Sequence, residues 1–348
     1  MNFNSLAVKE IKKETQDAVS ILFEVPEHLL PNYTFVSGQY ITIKTTIENS
    51  EIRRDYSLCT TPRSGQLKVA VKAVENGLFS KYANEQLTAG DSLDVSEPQG
   101  RFTYTPKNDQ HSIFCIAAGS GITPIISIAK EALESSLQTK VALIYGNKSK
   151  AQTIFYEDLL ALKATYNERF ILKFVFSEET REDALFGRID TPKIKYMLNH
   201  INVPDLSYIC GPEPMIKETK EALLNQGFDE ESIKFELFTS SAPKEDSSTS
   251  SQIQAGTAQI TVLVDDEEAT FIMPTSKTIL EETLANDLDA PYSCQGGICS
   301  SCIARVTEGE VKMRQNNILT DGEIAEGLIL TCQAEPITSV VKIDYDDV

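Results

Sequence analysis

Cys294-Gln-Gly-Gly-Ile-Cys299-Ser-Ser-Cys302, followed by Cys332 after 29 intervening residues, is the stretch on which the reading of this 348-residue chain turns. Three thiolates on one short loop and a fourth elsewhere have the spacing of a plant-type [2Fe-2S] site. Gly296 and Gly297 permit the tight turn that such a loop needs and bring backbone N–H groups toward the sulfurs. Cys332 lies in Leu328-Ile-Leu-Thr-Cys332-Gln, an apolar stretch able to present the last ligand from a more rigid element. A four-cysteine zinc site would need the same thiolates, but zinc ribbons bring two separated Cys-x-x-Cys pairs, and the grouping here is three plus one. Seven cysteines, four of them in the last sixth of the chain, point to metal ligation before disulfides. A plant-type cluster works at roughly −400 mV and carries one electron at a time.

Around this motif the chain is acidic. From Thr257 onward, 17 Asp and Glu stand against 5 Lys and Arg, so this region carries −12 of the formal −19. No clustered cations are available for nucleic acid or an anionic membrane, and neither is expected as a partner. The acid suits a basic partner surface, although solubility alone would also use it. Just upstream, Thr239 to Gly256 is Ser-rich and too polar to order itself. Its 18 residues read as a linker spanning roughly 23 Å as a flexible coil. A compact domain follows, with Gln259 to Val264 as its first strand.

Further toward the N-terminus two patterns alternate. Up to about residue 108, short runs such as Gln39-Tyr-Ile-Thr-Ile43 and Leu67 to Val74 predict an antiparallel barrel or sandwich. Beyond it, Ile113–Ala118, Val141–Tyr145, Ile171–Phe176, Leu206–Cys210 and Ile233–Leu237 predict strands of a parallel sheet with crossover helices. The uncharged run Ser112–Ala129 approaches the length of a membrane span, but Gly119, Gly121 and Pro124 make it a strand, a glycine turn and a helix start. The N-terminal Met-Asn-Phe-Asn opens no signal peptide, so a cytoplasmic location is expected.

Two further motifs carry chemistry. Arg54-Asp-Tyr56-Ser57 sits on an apparent barrel strand, and Gly77-Leu-Phe79-Ser80 follows some 20 residues later. Arg54 offers a fork for a pyrophosphate, Tyr56 a face for an aromatic ring, and Ser57 a hydrogen bond to the reactive edge of a flavin. Gly77 lets backbone amides approach phosphate at the start of a helix near Phe79 and Ser80. Alone, the first of these reads as a strand with one ion-paired arginine. Gly119-Ser-Gly121-Ile-Thr123-Pro124 supplies a glycine turn and a proline-opened helix with Thr123 as cap, but lacks the third glycine of the dinucleotide fingerprint. Cys210-Gly211-Pro212 ends a second strand, where Cys210 is a candidate wall for a nicotinamide. Cys59 and Cys115 read as core residues, and His28, His111 and His200 are given no chemistry.

In this order the motifs resemble the ferredoxin-NADP reductase superfamily, and the cysteine domain placed after them resembles the reductase components of multicomponent oxygenases. Tyr292–Arg305, Asp321–Gly327 and Leu330–Pro336 are most similar to reductase subunits of phenylacetyl-CoA epoxidases. The resemblance implies a multidomain chain: an FAD-binding antiparallel β-barrel (1–108), an NAD(P)-binding α/β domain (109–238), the linker (239–256) and a β-grasp [2Fe-2S] ferredoxin domain (257–348). It implies FAD rather than FMN and an oxygenase component as partner. It also implies hydride transfer from NADH or NADPH at Ser57 and Cys210, followed by single-electron delivery. Lys148 could serve an NADPH phosphate, whereas Glu178 and Glu179 would repel it, so the coenzyme stays open. A reductase for another oxygenase or a soluble carrier, or a redox sensor without turnover, would keep the same residues.

Overall fold

The computed structural model describes residues 2–75, 77–107, 112–201, 204–237, 256–264, 267–286 and 288–348. The chain divides into two compact units, Asn2–Phe238 and, chiefly, Thr239–Val348. The linker expected over 239–256 lies outside the described residues except for Gly256.

In the first unit, β1 (Phe3–Thr15), β2 (Ala18–Glu24), β3 (Tyr40–Ile47), β4 (Ser50–Ser57), β5 (Leu67–Lys72) and β6 (Ser92–Ser96) form one antiparallel sheet in the order β4-β3-β6-β1-β2-β5. A bridge between Leu58 and Val69 joins its two edges and curls the sheet into a barrel. Alternation does the sorting: Leu67, Val69 and Val71 point into the core, and the lysines at 68 and 72 do not. Helix α1 (Leu78–Glu85) seats Phe79 and Ala83, four residues apart, on that core.

The chain then builds a parallel sheet from β7 (Ser112–Ala118), β8 (Lys140–Asn147), β9 (Phe170–Phe176), β10 (Leu185–Phe186), β11 (Leu206–Gly211) and β12 (Ile233–Leu237), ordered β10-β9-β8-β7-β11-β12. Its helices are α2 (Ile122–Ser135), α3 (Tyr156–Tyr166), α4 (Thr191–Leu198) and α5 (Glu213–Leu224). β7 is buried along its whole length up to Ala118, as expected of a parallel strand covered on both faces. The five expected strands all form, each within a residue or two of its expected bounds. The two-residue β10 is additional, too short to leave a periodic signal. Strand order reverses between β7 and β11, and the crevice at their carboxyl ends is where open parallel sheets bind ligands.

The second unit has a mixed sheet of β13 (Thr257–Val264), β14 (Glu267–Pro274), β15 (Ile303–Glu308), β17 (Leu328–Leu330) and β19 (Val340–Asp344) in the order β14-β13-β19-β15-β17, with β13 parallel to β19. Helix α6 (Ile279–Ala285) lies against it, opened by a capping box in which Thr278 and Glu281 exchange side-chain and backbone bonds. Such a sheet holding one helix is the β-grasp arrangement. β16 (Val311–Met313) and β18 (Ala334–Pro336) form a separate ribbon, and α7 (Asp321–Ala325) precedes β17.

Gly121 fixes how closely the turn after β7 meets β11, because a Cβ there would lie 2.4 Å from the Cys210 carbonyl oxygen. Gly121→Ala is therefore expected to push the turn off β11 and destabilise this unit by about 1–3 kcal/mol. A thermal or urea melt of the variant beside the parent protein measures it, and an unchanged midpoint would contradict the contact.

Candidate functional site

The end of barrel strand β4 meets the carboxyl ends of β11 and β12. Cys210 and Glu236 are register partners across the β11–β12 pair, so their side chains stand on one face of the sheet. Burial raises the Glu236 carboxyl to about 8; the charge of Asp55 adds to this, and the Ser57 side chain acts against it. Burial, with Glu236 as neighbour, also holds the Cys210 thiol well above its ordinary range. Ser57 and Cys210, expected together from the sequence, thus share a buried corner with a carboxylic acid that the sequence reading missed. Oε2 of Glu236 is buried without a hydrogen-bond partner, an arrangement that favours the protonated acid or an incoming donor. Its sequence signal is masked: Ile233-Lys-Phe-Glu-Leu alternates like an ordinary half-exposed strand.

Beside this corner the other flavin-motif residues spread over β4 and α1. Arg54 is exposed, with Nη1 donating to its neighbour's carbonyl at 2.6 Å. The Tyr56 ring lies 5.4 Å from that of buried Phe79. Gly77 precedes α1 without any side-chain cap, which leaves the first-turn N–H groups of α1 for an anion. The Ser80 hydroxyl accepts from the Val74 N–H at 3.2 Å and donates to the Gly77 carbonyl at 3.3 Å, locking the loop. An added Cβ on Gly77 would meet that hydroxyl at 2.3 Å, which accounts for the glycine. An exposed guanidinium, a half-buried tyrosine and an uncapped helix start together fit an FAD.

At the turn after β7, Gly119 takes φ +56° and its carbonyl accepts the Tyr145 hydroxyl at 2.9 Å. Thr123 does not cap α2. It is the second helical residue, 1% exposed, and its hydroxyl donates back to the Ser120 carbonyl at 3.1 Å. The cap position falls to Gly121, again without a side-chain acceptor, and Pro124 follows in the first turn, where its missing N–H costs no helical bond. Gly211 and Pro212 lead into α5 directly from Cys210. Along the strand ends beyond, Lys148 pairs with Glu178 at 3.4 Å, while Glu179 accepts the Lys150 N–H at 2.7 Å and pairs with Arg181. The cation and the carboxylates that were to compete over NADPH are therefore engaged with one another or with near neighbours.

In the second unit the four cysteines gather as two close pairs. Cys294 and Cys299 place their sulfurs 3.0 Å apart, and the charge of Cys294 is felt by both Cys302 and Cys332. A hydrogen bond between Cys302 and Cys332 holds the Cys302 thiol up and the Cys332 thiol down. The Gly296 N–H donates to the Cys294 sulfur at 3.3 Å, and Gln295 and Gly297 turn the loop at φ +51° and +68°. Two sulfur pairs within electrostatic reach of one another, with the Gly296 N–H aimed at Cys294 and the Gly297 backbone at Cys332, are a donor set that suits a thiolate-held cluster. Cys59 and Cys115 are core residues, 3% and 0% exposed.

Three family models match the chain: an oxidoreductase FAD-binding domain over residues 5–104, an oxidoreductase NAD-binding domain over 115–221 and a 2Fe-2S iron-sulfur cluster binding domain over 262–336. The last match is to an iron-sulfur rather than a zinc domain, and its bounds contain all four cysteines of the motif. One of the subunits of 1,2-phenylacetyl-CoA epoxidase from Escherichia coli is 37% identical, over 99% of this chain and 98% of its own length. The ferredoxin reductase component of 3-ketosteroid-9-alpha-monooxygenase from Rhodococcus rhodochrous is 33% identical, over 98% of this chain and 96% of its own. The solved structure of phthalate dioxygenase reductase shares the fold over 99% of this chain and 98% of its own, with TM-score 0.65 at 21% identity.

The folded-state value of about 8 for Glu236 lies above its ordinary 4.5, so between those values the native protein keeps a proton that the unfolded chain has released. Stability from this group is therefore lost as pH rises from about 4.5 to about 8. Glu236→Gln should remove that loss: relative to the parent, the variant's melting temperature is expected to rise across this window and level off above it. Parallel pH profiles for the two proteins would refute the burial of an acid here.

Proposed function

The chain belongs to the family of oxygenase reductase components built from FAD-binding, NAD-binding and [2Fe-2S] domains, and on that premise we propose that it delivers electrons from NAD(P)H to a phenylacetyl-CoA epoxidase. The reading is carried by one observation, the corner where Ser57 of the barrel meets Glu236 of the parallel sheet beside Cys210, in a chain that also bears the three-plus-one cysteine set. When bound, FAD accepts hydride as an electron pair and releases the electrons singly, in the one-electron steps that a [2Fe-2S] cluster can carry.

The chain's own residues have positioning tasks. Arg54 and the first-turn amides of α1 would hold the FAD pyrophosphate, and Tyr56 would cover an aromatic ring. The Gly119–Gly121 turn and the start of α2 would take the coenzyme pyrophosphate, with Thr123, Pro124, Gly211 and Pro212 shaping the walls. Cys210, buried and uncharged, would set the depth of the nicotinamide. Ser57 would donate to the flavin edge, and Glu236 would exchange a proton with Ser57. Cys294, Cys299, Cys302 and Cys332 would ligate the irons. The proposed modules are 1–108, 109–238, 239–256 and 257–348, with the last, at −12, docking on a basic face of the oxygenase in the cytoplasm.

Ser57→Ala is expected to slow NAD(P)H-driven flavin reduction at least tenfold in stopped flow while the iron-sulfur absorption stays intact. Unchanged flavin reduction would remove Ser57 from its role. Anaerobic titration should take up about three electrons per chain, two on the flavin and one on the cluster. Co-purification with epoxidase subunits, and NAD(P)H-dependent epoxidation on mixing, test the partner. Activity restored only with a different oxygenase would redirect the assignment to that oxygenase.

A further inference from the structure

We propose that Gln333, the residue after the fourth cysteine, is a positioning residue that clamps the three-cysteine loop and raises the reduction potential of the cluster; this rests on the cluster reading above. Gln333 is 9% exposed. Its amide nitrogen donates to the Gln295 carbonyl at 2.9 Å and to the Cys332 carbonyl at 3.0 Å, and stands 3.7 Å from the Cys332 sulfur. Two carbonyl partners fix the assignment, because the amide oxygen could not face them. One side chain therefore ties the loop, between Cys294 and Gly296, to the turn that carries the last ligand.

The surroundings are shaped for this span. The Gln333 backbone is held at both ends, its N–H donating to the Leu330 carbonyl at 2.9 Å and its carbonyl accepting the Arg314 N–H at 2.8 Å. Gly297 leaves room for the stem: a Cβ there would come within 3.0 Å of Gln333 Cγ. A donor dipole aimed at a ligating thiolate stabilises the added negative charge of the reduced cluster, so its loss lowers the potential. The same amide fixes the loop carbonyl, so its loss also loosens three of the four ligands.

The test compares the full chain with Gln333→Met, which keeps the volume without donors, and with Gln333→Glu, which turns a carboxyl toward two carbonyls and a thiolate. The readouts are an EPR-monitored anaerobic redox titration and the rate of iron release to a chelator. At the parent's midpoint the reduced-to-oxidised ratio of the cluster should fall at least tenfold in the Met variant, a shift of about 59 mV for one electron. It should fall further in the Glu variant, and iron should leave both faster. A variant that binds flavin normally yet cannot retain iron also supports the clamp. A parent-like midpoint in a variant that retains its iron overturns the proposal, whereas a parent protein without iron would fault the cluster reading itself.

Discussion

The corner of Ser57, Cys210 and Glu236 exists only if barrel and parallel sheet hold a fixed approach, and one hydrogen bond does much to set it beside the apolar cluster they share. Ser127 on α2, 0% exposed, donates to the Thr60 carbonyl at 2.7 Å. Thr60 lies three residues beyond Ser57, and Ser127 lies one turn inside the helix that starts at the coenzyme turn. The bond thus ties the exit of β4 to the helix that follows the Gly119–Gly121 turn. Tyr208 donating to the Thr103 carbonyl at 2.9 Å, and Arg63 pairing with Glu131 at 3.3 Å, brace the same seam. Hydride transfer tolerates little misplacement of its partners, so a seam pinned by such short bonds is the part that activity can least lose.

Glu236 shows why a parallel sheet suits this corner. At the topological reversal, β11 and β12 place neighbouring side chains in register, so a buried thiol and a buried acid are presented side by side without any loop between them. The barrel contributes Ser57 and Asp55 from a single strand end. Together they make a polar spot in an apolar wall, with the acid raised to about 8, near the range where a proton can be taken up or given back at neutral pH.

Legibility in the sequence follows the same physics. The cysteine loop can be read because thiolate ligation allows few substitutes and its spacing is local. The parallel strands can be read because burial on both faces demands continuous apolar runs, as in Ser112–Ala118. Glu236 escapes because its meaning lies in register with Cys210, which no local pattern carries. The hydroxyls of Ser80 and Thr123 are hard to read for a related reason. A hydroxyl next to a glycine turn serves a ligand or its own backbone equally well on paper, and here both satisfy nearby main-chain groups. β10 is too short to announce itself.

The cluster loop follows a different rule from the reaction corner, since an electron carrier gains most from a shell that does not move between oxidation states. Gln295 holds φ +51°, a conformation that costs a non-glycine residue on the order of 1 kcal/mol. Its carbonyl, turned inward by that strain, is the acceptor for Gln333. Strain and clamp are two sides of one arrangement: without the acceptor geometry the amide has no span to bridge, and the amide opposes relaxation of Gln295. Gly297 at φ +68° completes the turn at no such cost and leaves the space that the clamp occupies. A loop prepared in this way would hold its donors toward the sulfurs in either oxidation state of a bound cluster, the constancy that a one-electron carrier requires.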